Sequence, residues 1–599
     1  MGDNSSKETV ISADNSAIER DRQLLIGARR QGSLSTLKAY VRLSGPGWLQ
    51  SAITLGGGSL AGSLYLGVLG GMSLLWLQPM AMIMGVIMLS AIGYVTLTTG
   101  ERPFRAINQH VNPVLGWGWA IATLMANLVW ALPQFSLGTA AVRQNLLPQI
   151  VGSDAMSEGA GKLIVGGAIL LVCVTVVWLY DKGSKGIKIF ETLLKLMVAV
   201  IVISFFGVVV KMSFAETVDG ERILDWSQIL AGLIPDFSLL SSPADTFDPF
   251  IGAVGSEFQD FWRAMIVAQQ RDVMITAAAT AVGINMTFLL PYSMLKRGWD
   301  KNFRGLAIFD LSTGMFIPFI LATGCVVIAS ASQFHAKPAP GLLGETNQNG
   351  NLIAPVPSVL DNAAARIKFG IEKVALSEGL NPEQVAQRIQ EFEGLNDKDK
   401  LERIERLPEA DKRMAAMLVK RDAFSLANSL APLTGEKFSQ YVFGIGVVGM
   451  AISSIIILML INGFVVCEML GLETKGWPYR LGFLAPCLGI IGPFIWTGGK
   501  AQFWLAVPTS VFGMTLLPIA YFTFFLLMNQ KSLLGDNMPR GGRRVIWNSL
   551  MIVAAGLAAF GSIWSVWSNV KRYGIAGVVA FILLALVVQM LRKKTNPTP

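Results

Sequence analysis

The chain has 599 residues, of which 52% are apolar and only 15% charged. That balance excludes a disordered tail or a small soluble module and points to a polytopic membrane protein. The net charge of +9 suggests a nucleic-acid partner only until its distribution is mapped; it clusters beside apolar segments, where lipid-flanking loops account for it without any nucleic acid.

The first 44 residues are polar, with Arg20, Arg22, Arg29 and Arg30, and read as a cytoplasmic segment. No short apolar core follows a basic start, so no cleavable signal is expected. About twelve stretches near the ~20 residues needed to cross hydrocarbon follow. They run Gly45–Leu69, Leu74–Leu97, Val114–Leu147, Leu163–Tyr180, Ile187–Val210 and Val273–Leu295. After these come Leu306–Ala331, Tyr441–Val466, Leu481–Trp496, Phe503–Met528, Val545–Trp567 and Ile575–Leu591.

The first stretch contains Gly56, Gly57, Gly58 and Ser59 at mid-depth. Consecutive glycines hold a helix poorly, and unwound backbone in lipid survives only where it lines a cavity or binds something. A broken membrane helix is the usual mark of a transporter's substrate site. The sixth stretch repeats the pattern: Gly283 and Asn285 at mid-depth and Pro291 beyond predict a second interruption near Gly283–Thr287. Five spans separate the two, as in five helices repeated upside down. The predicted fold is all-α, a 5+5 inverted repeat with two extra C-terminal helices. Candidate substrate contacts are Gly56, Gly57, Gly58, Ser59, Thr54, Gly283, Asn285 and Thr287. The intramembrane acids Glu191 and Asp310 are candidates for a coupling Na⁺ or H⁺, with Arg304 or Arg297 as the candidate ion-pair partner of Asp310.

Two long loops interrupt the spans. Lys211–Asp272 is acidic; residues 333–437 open with the linker HAKPAPGLLGETNQNG and turn helical. There Asn381-Pro382 is a capping pair, followed by Val385, Ile389 and Phe392 on one stripe and Leu401, Ile404 and Leu407 on another. Basic clusters at Lys182/Lys185/Lys188, Lys296/Arg297/Lys301/Arg304, Lys531/Arg540/Arg543/Arg544 and Arg592/Lys593/Lys594 fall in alternate loops. The positive-inside pattern therefore predicts both termini, including the tail 592–599, in the cytoplasm and both long loops outside. The domain organisation follows: spans one to seven over 45–332, an extracellular insertion over 333–437, and spans eight to twelve over 438–591.

His110 and His335 are predicted in loops, outside any proton route across the bilayer. Trp117, Trp119, Trp564 and Trp567 suit interfacial belts. Cys173, Cys325, Cys467 and Cys487 fall in or beside spans at no metal-knuckle spacing and read as apolar filler. No catalytic constellation is visible, so an enzyme is not expected, and no cofactor is implied.

Several segments together resemble the Nramp family of metal-ion/proton symporters, which have the LeuT-type fold. They are Gly45-Pro46-Gly47-Trp48-Leu49, Gly138-Thr139-Ala140, Ser453-Ser454 with Glu468-Met469, and Leu517-Pro518 with Asn529-Gln530-Lys531 and Leu534-Gly535. The resemblance covers most spans and not the insertion, and implies alternating access around the first and sixth helices. It departs at the site. Gly56, Gly57, Gly58 and Ser59 stand where the family breaks its first helix at Asp-Pro-Gly-Asn, and Asn285, Met286 and Thr287 stand where it carries Met-Pro-His. The resemblance alone implies a divalent metal ion (Mg²⁺, Mn²⁺ or Fe²⁺). The residues favour a small anion or carboxylate-bearing solute, because half-helix N-termini with no carboxylate beside them attract negative charge. The expected setting is a multi-pass protein of the cytoplasmic membrane, with lipid and the solute as its partners and a monomer as its form.

Overall fold

A computed structural model describes residues 4–180, 183–214, 222–347, 350–419, 426–428, 431, 435–474, 476–495 and 505–595. The described residues are mainly helical; the only β-pairing among them is an isolated bridge between Thr346 and Leu352. Among the described residues, ten helices are long and apolar enough to span a bilayer, and a bent pair, Gly47–Thr54 with Gly57–Leu74, makes an eleventh span. The last of the ten, Gly542–Arg592, is a hairpin. Its chain reverses at Lys571, at φ 53°. Asn548 on one leg bonds Asn529, and Arg592 at the end of the other bonds the Gln109 carbonyl. His110 in turn contacts Ser532, so both feet stand at one end of the bundle. Counted leg by leg, the crossings among the described residues number twelve.

The first and sixth spans lie at the centre. The half-helix Gly57–Gly70 packs against the third, sixth, seventh and tenth spans, and nearly all its side chains are fully buried. The sixth span is two helices, Ser256–Ala281 and Ile284–Lys296. It begins well before the expected Val273, because the stretch SEFQDFWRAMIVAQQRD is helical but amphipathic, with Trp262, Ile266 and Gln270 buried and charges on the opposite face. The supposed loop 211–272 is thus shorter, and its described remainder is short helical turns at Trp226–Ala231, Phe237–Leu240 and Asp245–Gly252. Trp496 and Phe503, expected at span ends, lie outside the described residues, as do Lys182 and the last four residues of the tail.

Four helices form the insertion: Pro357–Ser377, Pro382–Glu393, Asp397–Glu405 and Glu409–Met417. Asn381 and Gln384 cap each other's backbone at the second of these, and Val385, Phe392 and Ile404 are buried. The insertion sits on the N-terminal turns of the sixth span. Asp411, 1% exposed, accepts from Trp262 Nε1 at 2.7 Å and from Arg366 Nε at 2.8 Å. The Arg366 guanidinium lies 3.1 Å over the Phe258 ring, so the buried charge is paired, hydrogen-bonded and stacked.

Candidate functional site

The first break is made by Leu55 (φ −82°, ψ 55°) and Gly56 in extended backbone; helix resumes at Gly57. The two halves meet at 57°. The second falls at Val282 and Gly283, and helix resumes at Ile284. It therefore starts one residue before the expected Gly283–Thr287 and ends at Gly283: Asn285 and Thr287 belong to the first turn of the second half-helix, not to the interruption. Glycine is required by close approach. A Cβ on Gly56 would stand 2.4 Å from Ser454 Oγ, and one on Gly283 2.4 Å from the Trp130 ring.

Between the breaks lies a cavity of about 40 Å³, room for two or three waters. Gly56, Gly58, Ser59, Gly283 and Asn285 line it, with Gln134 and Trp130 of the third span, Thr280 and Met286 of the sixth, Ser454 of the eighth and Ser510 of the tenth. No Asp, Glu, Lys, Arg or His is among the lining residues. Most polar groups are already used. Gln134 Oε1 accepts from the Gly57 N–H at 2.8 Å. Ser59 donates to the freed Thr54 carbonyl and lies 3.3 Å from the Thr280 carbonyl; Thr280 donates to Thr276 in its own helix at 2.9 Å. Two groups are fully buried with no partner among the described residues. Asn285, 1% exposed, has neither its amide oxygen nor its nitrogen paired, and Ser454, 2% exposed, has an unpaired hydroxyl. A buried polar group left unpaired costs about 1–3 kcal/mol, so these groups are poised for a partner.

Three expected contacts stand behind the wall. Gly57 backs onto Leu137 and Gln134. Thr54 faces the Ala281 carbonyl at 3.4 Å and Met286 Sδ at 3.3 Å. Thr287 accepts from Trp119 Nε1 at 2.9 Å and donates to the Ile284 carbonyl. Trp119 is therefore fully buried, stacked on Phe288 with centroids 4.4 Å apart, rather than part of an interfacial belt. Met286 brings to the pocket a thioether that the departure from the family's sixth-helix motif leaves out. Gln134, Ser454 and Ser510 were missed; buried polar residues on other spans carry no sequence signal for which face meets the break.

Both candidate acids lie away from the pocket, in a collar around the start of the first span. Asp310 caps that helix: it accepts from Ser44 Oγ, from the Gly47 N–H at 2.5 Å and from the Gly45 N–H at 3.1 Å. Arg297 pairs with Glu191, not Asp310, and Arg304 bonds Thr98 and lies over the Tyr94 ring. Lys195 Nζ reaches the Ser44 carbonyl at 3.3 Å, and Arg102 pairs with Glu468 at 2.9 Å. The glycines of Gly45-Pro46-Gly47 make room here: a Cβ on Gly45 would meet the Arg297 guanidinium at 2.1 Å, and one on Gly47 the Asp310 carbonyl at 2.2 Å.

His110 lies in the turn Ile107–Val111, and His335 ends the seventh span, where it contacts the Val68 carbonyl at 3.0 Å and Thr246 Oγ1 at 2.5 Å. Cys173, Cys325 and Cys467 are buried and all four thiols are free. No cluster of three or more His, Cys, Asp or Glu suited to a metal occurs among the described residues.

Among solved structures, a crystal structure of a single-residue mutant of the Eremococcus coleocola manganese transporter matches at TM-score 0.57 and 12% identity, over 93% of this chain and 94% of that one. The same transporter in complex with an aromatic bis-isothiourea compound matches at TM-score 0.50 and 13% identity, over 94% and 95%. At that identity the likeness speaks for the LeuT-type fold. Metal transporter Nramp2 of Oryza sativa subsp. japonica is 26% identical over 193 residues, 32% of this chain and 32% of that relative, so the match spans about a third of the relative's length. The model of the Nramp family, natural resistance-associated macrophage protein-like, matches residues 47–365 and 413–567, which leaves out part of the insertion and takes in both breaks and most of the collar. The chain belongs to the Nramp family of membrane transporters.

Proposed function

We propose that the chain is a secondary transporter of the cytoplasmic membrane that carries a small anion or carboxylate-bearing solute by alternating access, coupled to H⁺ or Na⁺. One observation carries this: the pocket at the two breaks is lined by dipoles alone, with the amide of Asn285 and the hydroxyl of Ser454 unpaired. A divalent ion stripped of water near mid-membrane calls for anionic ligands, and dipoles alone leave a large desolvation cost. A carboxylate is served by the positive ends of the half-helices, through Gly58 and Ser59 just past the Gly57 N–H that Gln134 takes and through the start at Ile284, together with the Asn285 amide N–H. The positive-inside pattern supports cytoplasmic termini and an insertion on the outer face.

The second reading is a divalent metal ion. Family membership favours it, as does Met286, a thioether-bearing residue of the wall beside Asn285. A fully hydrated Mg²⁺ is too large for about 40 Å³ in this conformation, so a metal would enter partly stripped.

The test is uptake into proteoliposomes of radiolabelled small amino acids and monocarboxylates against ⁵⁴Mn²⁺. Saturable uptake of a carboxylate solute is expected, lowered tenfold or more by Asn285→Ala, with Mn²⁺ at the level of empty vesicles. Saturable Mn²⁺ uptake by the intact protein would decide for the metal.

A further inference from the structure

Among the described residues, four carboxylates on the spanning helices are at least partly buried. Asp310 is capped by Ser44, Gly45 and Gly47, Glu191 is paired with Arg297, and Glu468 with Arg102. The fourth, Asp272, stands apart. It is half-buried, more than four turns into the helix Ser256–Ala281, and its carboxyl makes no hydrogen bond or ion pair among the described residues.

Its surroundings carry no counter-charge. The helices Gly57–Gly70, Leu77–Thr99 and Ala506–Met528, all packed on this one, contain no Asp, Glu, Lys, Arg or His. Neighbouring Arg271 is turned away: its Nε donates to the Leu240 carbonyl and its guanidinium lies 4.4 Å from the Trp564 ring centroid. In the turns over 237–252, Asp245 is acidic and Asp248 faces Arg263 at 3.4 Å. At the hairpin tip, Lys571 makes no ion pair among the described residues and Arg572 contacts Tyr573.

The register links Asp272 to the pocket. Thr276 lies one turn inward and donates to the Asp272 carbonyl at 2.8 Å; it is fully buried against Gly62 of the first span. Ala279, seven residues from Asp272 and so on the same face, lines the pocket, as does Thr280. At 1.5 Å per residue the carboxylate is about 11 Å from the cavity along the helix, toward the end that carries the insertion.

We infer that Asp272 is the coupling-cation site, binding H⁺ or Na⁺ on the outer half of the sixth span. An unpaired carboxylate in an apolar bundle is costly, and a bound monovalent cation removes that cost. Because the group rides on the half-helix that borders the pocket, its neutralisation favours the arrangement in which it is most deeply buried. This rests on the reading of the chain as a cation-coupled transporter and names the residue that does the coupling.

The test uses full-length protein in detergent and two probes, NaCl against choline chloride at constant ionic strength and pH 8, and a pH 8 to 5 titration in choline chloride. Tryptophan fluorescence, with Trp130 in the pocket wall, and the thermal midpoint are read. Wild type is expected to respond saturably to one probe; which one tells Na⁺ from H⁺. Asp272→Asn is expected to abolish that response or shift its midpoint at least tenfold. Asp272→Glu is expected to keep the response with a displaced midpoint, and it decides the matter if Asp272→Asn does not fold. A wild type silent to both probes, an Asp272→Asn response identical to wild type, or an undisplaced Asp272→Glu midpoint overturns the inference. Asn285→Ala is expected to keep the cation response, so the substrate reading and this one fail separately.

Discussion

The pocket and the collar lie around the same two spans and are built from opposite materials. The pocket holds polar groups with no formal charge, two of them unpaired. The collar holds Asp310, Glu191, Arg297 and Lys195, each with a partner. Satisfied groups set a geometry, and unsatisfied groups wait for a ligand. On the proposed reading, the collar fixes the angle of the first half-helix and the pocket is where the solute binds.

The sharpest way to break this comparison is to remove one polar group from each region. Asp310→Ala strips the acceptor from two buried backbone N–H groups and a hydroxyl and is expected to destabilise by roughly 3 kcal/mol. Asn285→Leu, in contrast, removes a group that has no partner and is expected to leave stability unchanged or raised. Reversible unfolding in mixed micelles compares the two; equal losses would erase the distinction.

A smaller effect tests whether the collar acts as pairs. Glu191 and Arg297 have side chains 15% and 21% exposed, so water still screens them. A double-mutant cycle with Glu191→Gln and Arg297→Gln is expected to show a coupling of about 1 kcal/mol. Coupling near zero would reduce the pair to two independent side chains.

The smallest effect concerns His335 at the end of the seventh span, held by neutral groups as the pocket is. Burial of His335 lowers its pKa from the usual histidine range, against the opposing hydrogen bond to the Val68 carbonyl. The folded state therefore holds the proton less tightly than the unfolded chain. The stability from this site is complete above about pH 6.5 and is lost as pH falls through the lowered folded value. A melting-temperature profile from pH 8 to 5 is expected to slope more gently in His335→Gln than in wild type.

The two breaks were legible because glycine leaves a mark in composition, and the resemblance located them within one turn. The helices of the insertion were legible from Asn381-Pro382 and the apolar stripe after it. Asp272 was not: charges in the outer turns of its helix push an apolar-run criterion inward to Val273, which makes it the last residue of a loop. The exclusion of Trp119 from the interface, and the arrival of Gln134, Ser454 and Ser510 at the pocket, depend on which way each helix is rotated. Near-uniform apolar spans leave that rotation unmarked.

The seat of the insertion on Trp262 and Phe258 has a mechanical consequence. Whatever tilt the outer part of the sixth span adopts during a cycle, a four-helix block bolted to its tip travels as the long arm of a lever. Small rotations deep in lipid thus become large displacements in water, where a fluorophore on the arm can follow them one molecule at a time.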